Sequence, residues 1–175
     1  MNTVWANRSQ VHDDLTTVGG LRDFLGVAAD ETDLTAFRAL RRALRDLAGV
    51  LTEDTREVAR DRDLDRAVAE VNRAARSARH WPRLAVEGGE LVRHNDSEGS
   101  PADRERASIA AEAVELFTGA DRVLLRACYA PGCVLYFVKD HPRREWCSAS
   151  CGNRARAARH YRRNRGESPG PNGFS

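Results

Sequence analysis

Cys128, Cys133, Cys147 and Cys151 are the only cysteines of this 175-residue chain, and they crowd into one short segment. Their spacing, C-x4-C-x13-C-x3-C, sets two close pairs on either side of a loop. Zn²⁺ takes thiolates at about 2.3 Å in a closed tetrahedral shell, which two short turns can assemble. Pro131-Gly132 gives the first pair a tight turn. Cys147 and Cys151 are four apart, so both thiols lie on one side of a first helical turn. Four thiolates leave no open coordination position, so the reading is one structural zinc and no catalytic metal. Disulfides and inert thiols are the alternatives. The start, Met1-Asn2-Thr3-Val4-Trp5, lacks the basic and apolar pattern of a secretory leader. No apolar stretch approaches the length of about 18 residues that a membrane span needs. A cytoplasmic location follows as the expectation, and clustered thiols there read as metal ligands.

Beyond the cysteines the chemistry is that of arginine. Lys139 is the only lysine. Residues 1–120 carry 17 Arg against 22 Asp and Glu, a net charge of −5, while residues 121–165 carry 11 basic against 3 acidic groups, a net +8. Such asymmetry points to an anionic partner for the basic part. From Ser148 to about Arg165 the pattern is helical. Arg156, Arg159, Arg162, Arg163 and Arg165 have no acid on that helix, a footprint suited to phosphates. Arg143 and Arg144 add to it. Arg154, beside Cys151, either reaches a phosphate or bonds a carbonyl of the metal turn. Gly152 would let backbone approach the metal, and Asn153 would orient the thiolates. Tyr161 and His160 either stack on a partner or pack. His12, Asp13 and Asp14 are the nearest thing to an acid–base cluster. No nucleophile motif, phosphate loop or open metal site accompanies them, so no enzyme is read.

These groups need a scaffold. A short helix over Val18–Leu25 precedes the strongest apolar stripe of the chain, Leu34, Phe37, Leu40, Leu44, Leu47 and Leu51, capped at Thr32 or Asp33. Arg38, Arg41, Arg42 and Arg45 take the opposite face, which reads as solvated. A second amphipathic helix runs from about Asp61 to Arg79, where Trp81-Pro82 stops it. Leu84–Val92 reads as a hairpin turning at Gly88-Gly89, and Asn95–Ser100 as a loop. Ser100 caps a helix from Pro101 to Gly119, with Ile109, Ala113 and Phe117 inward. Val123–Ala127 and Val134–Val138 pair as strands around the first two cysteines. The first twenty residues show no clear periodicity. Asn7-Arg8-Ser9 is a glycosylation sequon without meaning off the secretory route, and residues 166–175 read as a disordered tail. The fold class is mainly α with a small β-sheet (α+β).

Cys147-Ser-Ala-Ser-Cys151-Gly152-Asn153-Arg154, preceded by Trp146 and followed by an arginine-rich helix, resembles the CGNR zinc-finger family over residues 121–165. Tyr136-Phe137 and Asp140 fit the same pattern. Residues 1–120 resemble the mostly helical ABATE domain that usually precedes this finger. The resemblance implies a treble-clef-like finger of hairpin and helix. It also implies a stress-induced transcription regulator of bacteria with a ligand-sensing N-terminal domain, whose pocket would lie near Asn2, Arg41 and Arg42. The expected partners are DNA, a small effector and a second copy of the chain, since one module of this charge holds DNA weakly. The competing reading is an interaction module whose arginine helix docks on an acidic protein surface, including the chain's own acidic body.

Overall fold

A computed structural model describes residues 2–7 and 10–166, so Arg8-Ser9 of the sequon and the tail past Gly166 lie outside the described residues. The elements are β1 (Val4–Asn7), β2 (Gln10–Asp13), α1 (Val18–Leu25), α2 (Glu31–Leu51), α3 (Leu64–Ala75), β3 (Arg79–Glu87), β4 (Glu90–Glu98), α4 (Pro101–Thr118), β5 (Leu125–Ala127), β6 (Tyr136–Val138) and α5 (Ala149–Gly166). Short 3-10 turns at Glu57–Ala59 and Ala120–Leu124 complete the described chain. The strands form three antiparallel two-stranded ribbons, β1-β2, β3-β4 and β5-β6. The fold is α+β, dominated by helix.

α2 starts one turn earlier than its apolar stripe suggests. Asp30, not Thr32 or Asp33, is the cap, and Asp33 returns the bond to the Asp30 backbone N–H, closing a capping box. Leu40, Ala43 and Leu44 of α2 meet Ala67, Val71 and Ala74 of α3 and Ala110 and Ala113 of α4 in a three-helix core. Alanine at five of these positions lets the helix axes come close, so the bundle is held by tight packing more than by bulk. Leu15, Leu21 and Ala29 pack on Leu34 and Phe37, which seats α1 against the start of α2.

Two elements differ from the sequence reading. α3 ends at Ala75 and not near Arg79. Ser77 turns the chain by donating its hydroxyl to Ala74 O and Asp103 O, and Arg79 already pairs with Glu98. Trp81-Pro82 therefore lies inside β3, where a two-stranded ribbon leaves outward positions that need no N–H. The hairpin is correspondingly longer, and Asn95–Glu98 is strand, not loop. Its turn is as read: Gly88 and Gly89 both have positive φ, 60° and 89°, as a type I′ turn requires. The other difference is the β1-β2 ribbon, which the first twenty residues do not announce.

The C-terminal segment rests on the end of α2. Leu125, Ala127 and Tyr136 of β5 and β6 cluster with Ala48, with Leu116 and Phe117 alongside. The need for glycine at position 49 follows from this seating. A methyl group there would stand 3.2 Å from Arg62 Cδ and 3.3 Å from Tyr136 Oη. Helix propensity is given up, at about 1 kcal/mol, so that the tyrosine can reach through.

Candidate metal centre and its arginine shell

The first pair of thiols sits on a turn between β5 and β6. Cys128 N–H donates to Leu135 O (3.0 Å), Cys133 N–H donates to Ala130 O (2.9 Å), and Gly132 takes a φ of 72°. The second pair sits at the start of α5. Ser148 caps that helix, its Oγ accepting from Cys151 N–H at 3.2 Å and its carbonyl from Gly152 N–H at 3.1 Å. The four Sγ atoms converge within 4.8 Å of one another. Cys147 Sγ lies 3.7 Å from Cys133 Sγ and 3.4 Å from Cys151 Sγ. A tetrahedron with bonds of about 2.3 Å places its sulfurs about 3.8 Å apart. One structural zinc fits these donors, with Cys128, Cys133 and Cys151 buried and Cys147 half-buried.

Packed together, the thiols do not ionise independently. The hydrogen bond from Cys133 leads the interactions that hold Cys128 down to about 4. The same bond, then burial, pushes Cys133 far up, and burial first pushes Cys147 up to about 12. One thiolate is easily made and the next are resisted. A divalent cation is what allows all four to deprotonate, and the set then keeps a formal charge of about −2.

Three arginines surround that charge. Arg154 Nη2 donates to Cys151 Sγ at 3.1 Å. Arg144 donates to Cys147 O (3.0 Å) and Trp146 O (3.3 Å), pairs with Asp140 at 2.9 Å, and lies over the Phe137 ring. The third comes from far up the chain. Arg56 Nη1 donates to Cys128 O (3.1 Å), Cys133 O (3.1 Å) and Leu135 O (3.3 Å), so one guanidinium gathers the carbonyls of the first turn. Its other side grips Asp54 with a 2.6 Å bond to Oδ2, and Tyr136 Oη donates to the same oxygen at 2.7 Å. Burial pushes the Asp54 carboxyl up, yet its bonds from Arg56, backbone and Tyr136 bring it down to about 2. Burial and the bond to Asp54 push Tyr136 up to about 12.

Asn2 is also committed. Its Nδ2 donates to Tyr136 O (2.6 Å), and its Oδ1 accepts from Tyr136 N–H (3.2 Å). Asn2 therefore meets β6. Arg41 forms a forked pair with Asp13 and also reaches Thr3 Oγ1. Arg38, though exposed, bonds Leu15 O and Thr16 O, and Arg45 bonds Val134 O, while Arg42 is exposed without a side-chain hydrogen bond to a described residue. Gly152 meets Trp146. A methyl there would stand 3.1 Å from Trp146 Cδ1, so the missing side chain admits the tryptophan.

Among the sequence-read arginines, the structure separates two groups. Arg144 and Arg154 are half-buried around the thiols. Arg143, Arg156, Arg159, Arg162 and Arg163 are exposed, with Arg156 bonded to Asn153 Oδ1 at 2.6 Å. Arg144 pairs with Asp140, Arg154 bonds Cys151 and Arg156 bonds Asn153, each within the finger. The Arg56–Asp54–Tyr136 network escaped the sequence reading, because Asp54-Thr55-Arg56 is an ordinary polar turn until its distant partners are known.

A model of the CGNR zinc finger matches residues 124–164. No curated protein matches the chain. A model of the ABATE family, described as "Putative stress-induced transcription regulator", matches residues 1–120. With its cysteines gathered and both models in sequence order, the chain belongs to the ABATE family and ends in a CGNR zinc finger.

Proposed function

We propose that this chain is a zinc-dependent transcription regulator whose finger, residues 121–165, holds DNA through the exposed length of α5. Residues 1–120 receive a small effector. The observation that carries the reading is the second half of α5. From Arg159 to Asn164 every residue is exposed, Tyr161 is 72% exposed, and no acid interrupts the arginines. Guanidiniums standing clear of the body are free to neutralise phosphates, and an exposed tyrosine among them offers a face for stacking. Neither family is an enzyme class, and no helix among the described residues is long and apolar enough to cross a membrane.

Phosphate contacts of this kind position a protein without reading sequence. Specificity would require base contacts or a second copy, so the reading includes a homodimer on DNA. Selection of bound DNA from a random pool, with zinc-loaded full-length protein, tests it. The expected result is enrichment of a defined site, with binding that weakens steeply between about 50 and 200 mM salt. Absence of any retained DNA at the low-salt end would overturn it and favour an acidic protein partner.

A further inference from the structure

The arginine face of α2 lines a cleft of about 620 Å³ that also touches the finger at Val134. That volume lies within the range of small-molecule sites. Its guanidiniums are not equivalent. Arg41 is neutralised by Asp13. Arg42 is exposed and forms no ion pair with a described residue. Arg45 is the unusual one. Its Nη2 donates to Val134 O at 2.9 Å and its guanidinium lies 5.5 Å from the Tyr136 ring centre. Its Nη1 is buried without a hydrogen-bond partner, and the group forms no ion pair with a described carboxylate. Burial works against its charge and lowers its pKa. A guanidinium nitrogen buried without a hydrogen-bond partner carries a desolvation cost that an anion would reduce.

The remaining polar lining sets the character of that anion. Asp46 stands on α2 beside the arginines, while Glu57 and Asp61 come from the segment after it. A bare anion would meet repulsion from these carboxylates. A molecule with its anionic group on Arg42 and Arg45 and with hydroxyl or amino groups toward Glu57 and Asp61 satisfies both sides. We infer that the cleft is a binding site for a small anion, a carboxylate or phosphate bearing hydrogen-bond donors, held by Arg42 and Arg45.

This inference rests on the reading of residues 1–120 as the effector-binding part, and it names the effector's chemistry. It also gives the effector a route to the metal turn. The guanidinium that receives the anion already holds the carbonyl of Val134, which directly follows Cys133. Asn2, which the sequence reading placed beside the ligand, does not line this cleft.

The test uses zinc-loaded full-length protein with glycerol phosphate and malate as probes, each followed by calorimetry and thermal melting at constant ionic strength. Both carry an anionic group and a hydroxyl. At least one is expected to bind saturably at millimolar concentration and raise the melting temperature, with chloride at equal ionic strength giving no such rise. Malate alone marks a carboxylate site and glycerol phosphate alone a phosphate site. Arg42→Glu, which changes an exposed side chain and leaves the fold intact, should weaken binding at least tenfold. Arg45→Lys keeps the charge but loses the fork and should weaken it as well. An Arg159/Arg162/Arg163 triple alanine variant should bind the probe normally, which separates the cleft from adventitious binding on α5. No saturable binding by wild type, or full binding by Arg42→Glu, overturns the inference. DNA retention measured on the same samples shows separately whether the regulator reading stands.

Discussion

Asp54 keeps its negative charge although its side chain is wholly enclosed. Such a carboxylate survives only because Arg56 and Tyr136 supply the bonds that water would have made. Its folded pKa of about 2 lies below the usual unfolded value of about 3.9, worth roughly 2 to 3 kcal/mol. Because the folded value is depressed, that stability is complete above about pH 4 and is lost as pH falls toward 2. Urea unfolding of wild type and Asp54→Asn should therefore differ by a constant amount from pH 8 to 5. The difference should shrink only below about pH 4, and a shrinkage already at pH 6 would contradict the clamp. At the thiols, metal analysis of protein purified without added zinc should give close to one equivalent per chain. Cys133→Ser should lose it, and a wild-type value near zero with four free thiols would remove the site. The thiols were legible in the sequence because the ligands of each turn are close in the chain. Arg56 was not, since nothing local distinguishes a guanidinium that bonds three carbonyls from one in solvent.

α5 runs from the candidate metal centre into an exposed arginine stretch. Its first two turns place Cys151 and Arg154 at the thiol cluster, and its later turns carry the exposed arginines. Replacing Arg159, Arg162 and Arg163 together by alanine should weaken DNA binding about equally across sequences. The salt slope should fall by roughly one for each phosphate that the variant no longer neutralises. Zinc content should stay unchanged. Arg154→Ala should do the opposite first, releasing zinc faster under a chelator. If both variants lost DNA binding with zinc intact, the division of the helix would be wrong. Elements with strong local signals were readable in the same way. The stripe of α2, the Ser100 cap and Pro101 start of α4, and the Gly88-Gly89 turn each state their structure in a few adjacent residues. The end of α3 was not, because Ser77 turns the chain by reaching Asp103, on the far side of the hairpin. Nor was β1-β2, whose place is set by a bond from Asp14 N–H to Thr3 O and by Arg41 gripping Asp13.

Viewed as a whole, the molecule is joined across the point where its composition changes. The acidic body and the basic finger share Asn2–Tyr136, Arg45–Val134 and the Arg56 fork. A finger of this size takes most of its folding free energy from the metal, but here part of its second layer of support belongs to the body. Arg56→Ala in the full chain should raise the rate of zinc loss to a chelator by roughly 10–100-fold and lower the melting temperature of the bundle as well. A bundle indifferent to both zinc removal and Arg56→Ala would mean that the two parts only touch. The bond between Asn2 and Tyr136 also places these parts on a clock. A ribosome emits Asn2 first and Tyr136 only 134 residues later, and partners so distant in the chain meet late. The segment around Asn2 must therefore wait for the cysteine turns to emerge. Asn2 is made long before the residue it bonds, so its settling follows the folding of the turns that carry the thiols.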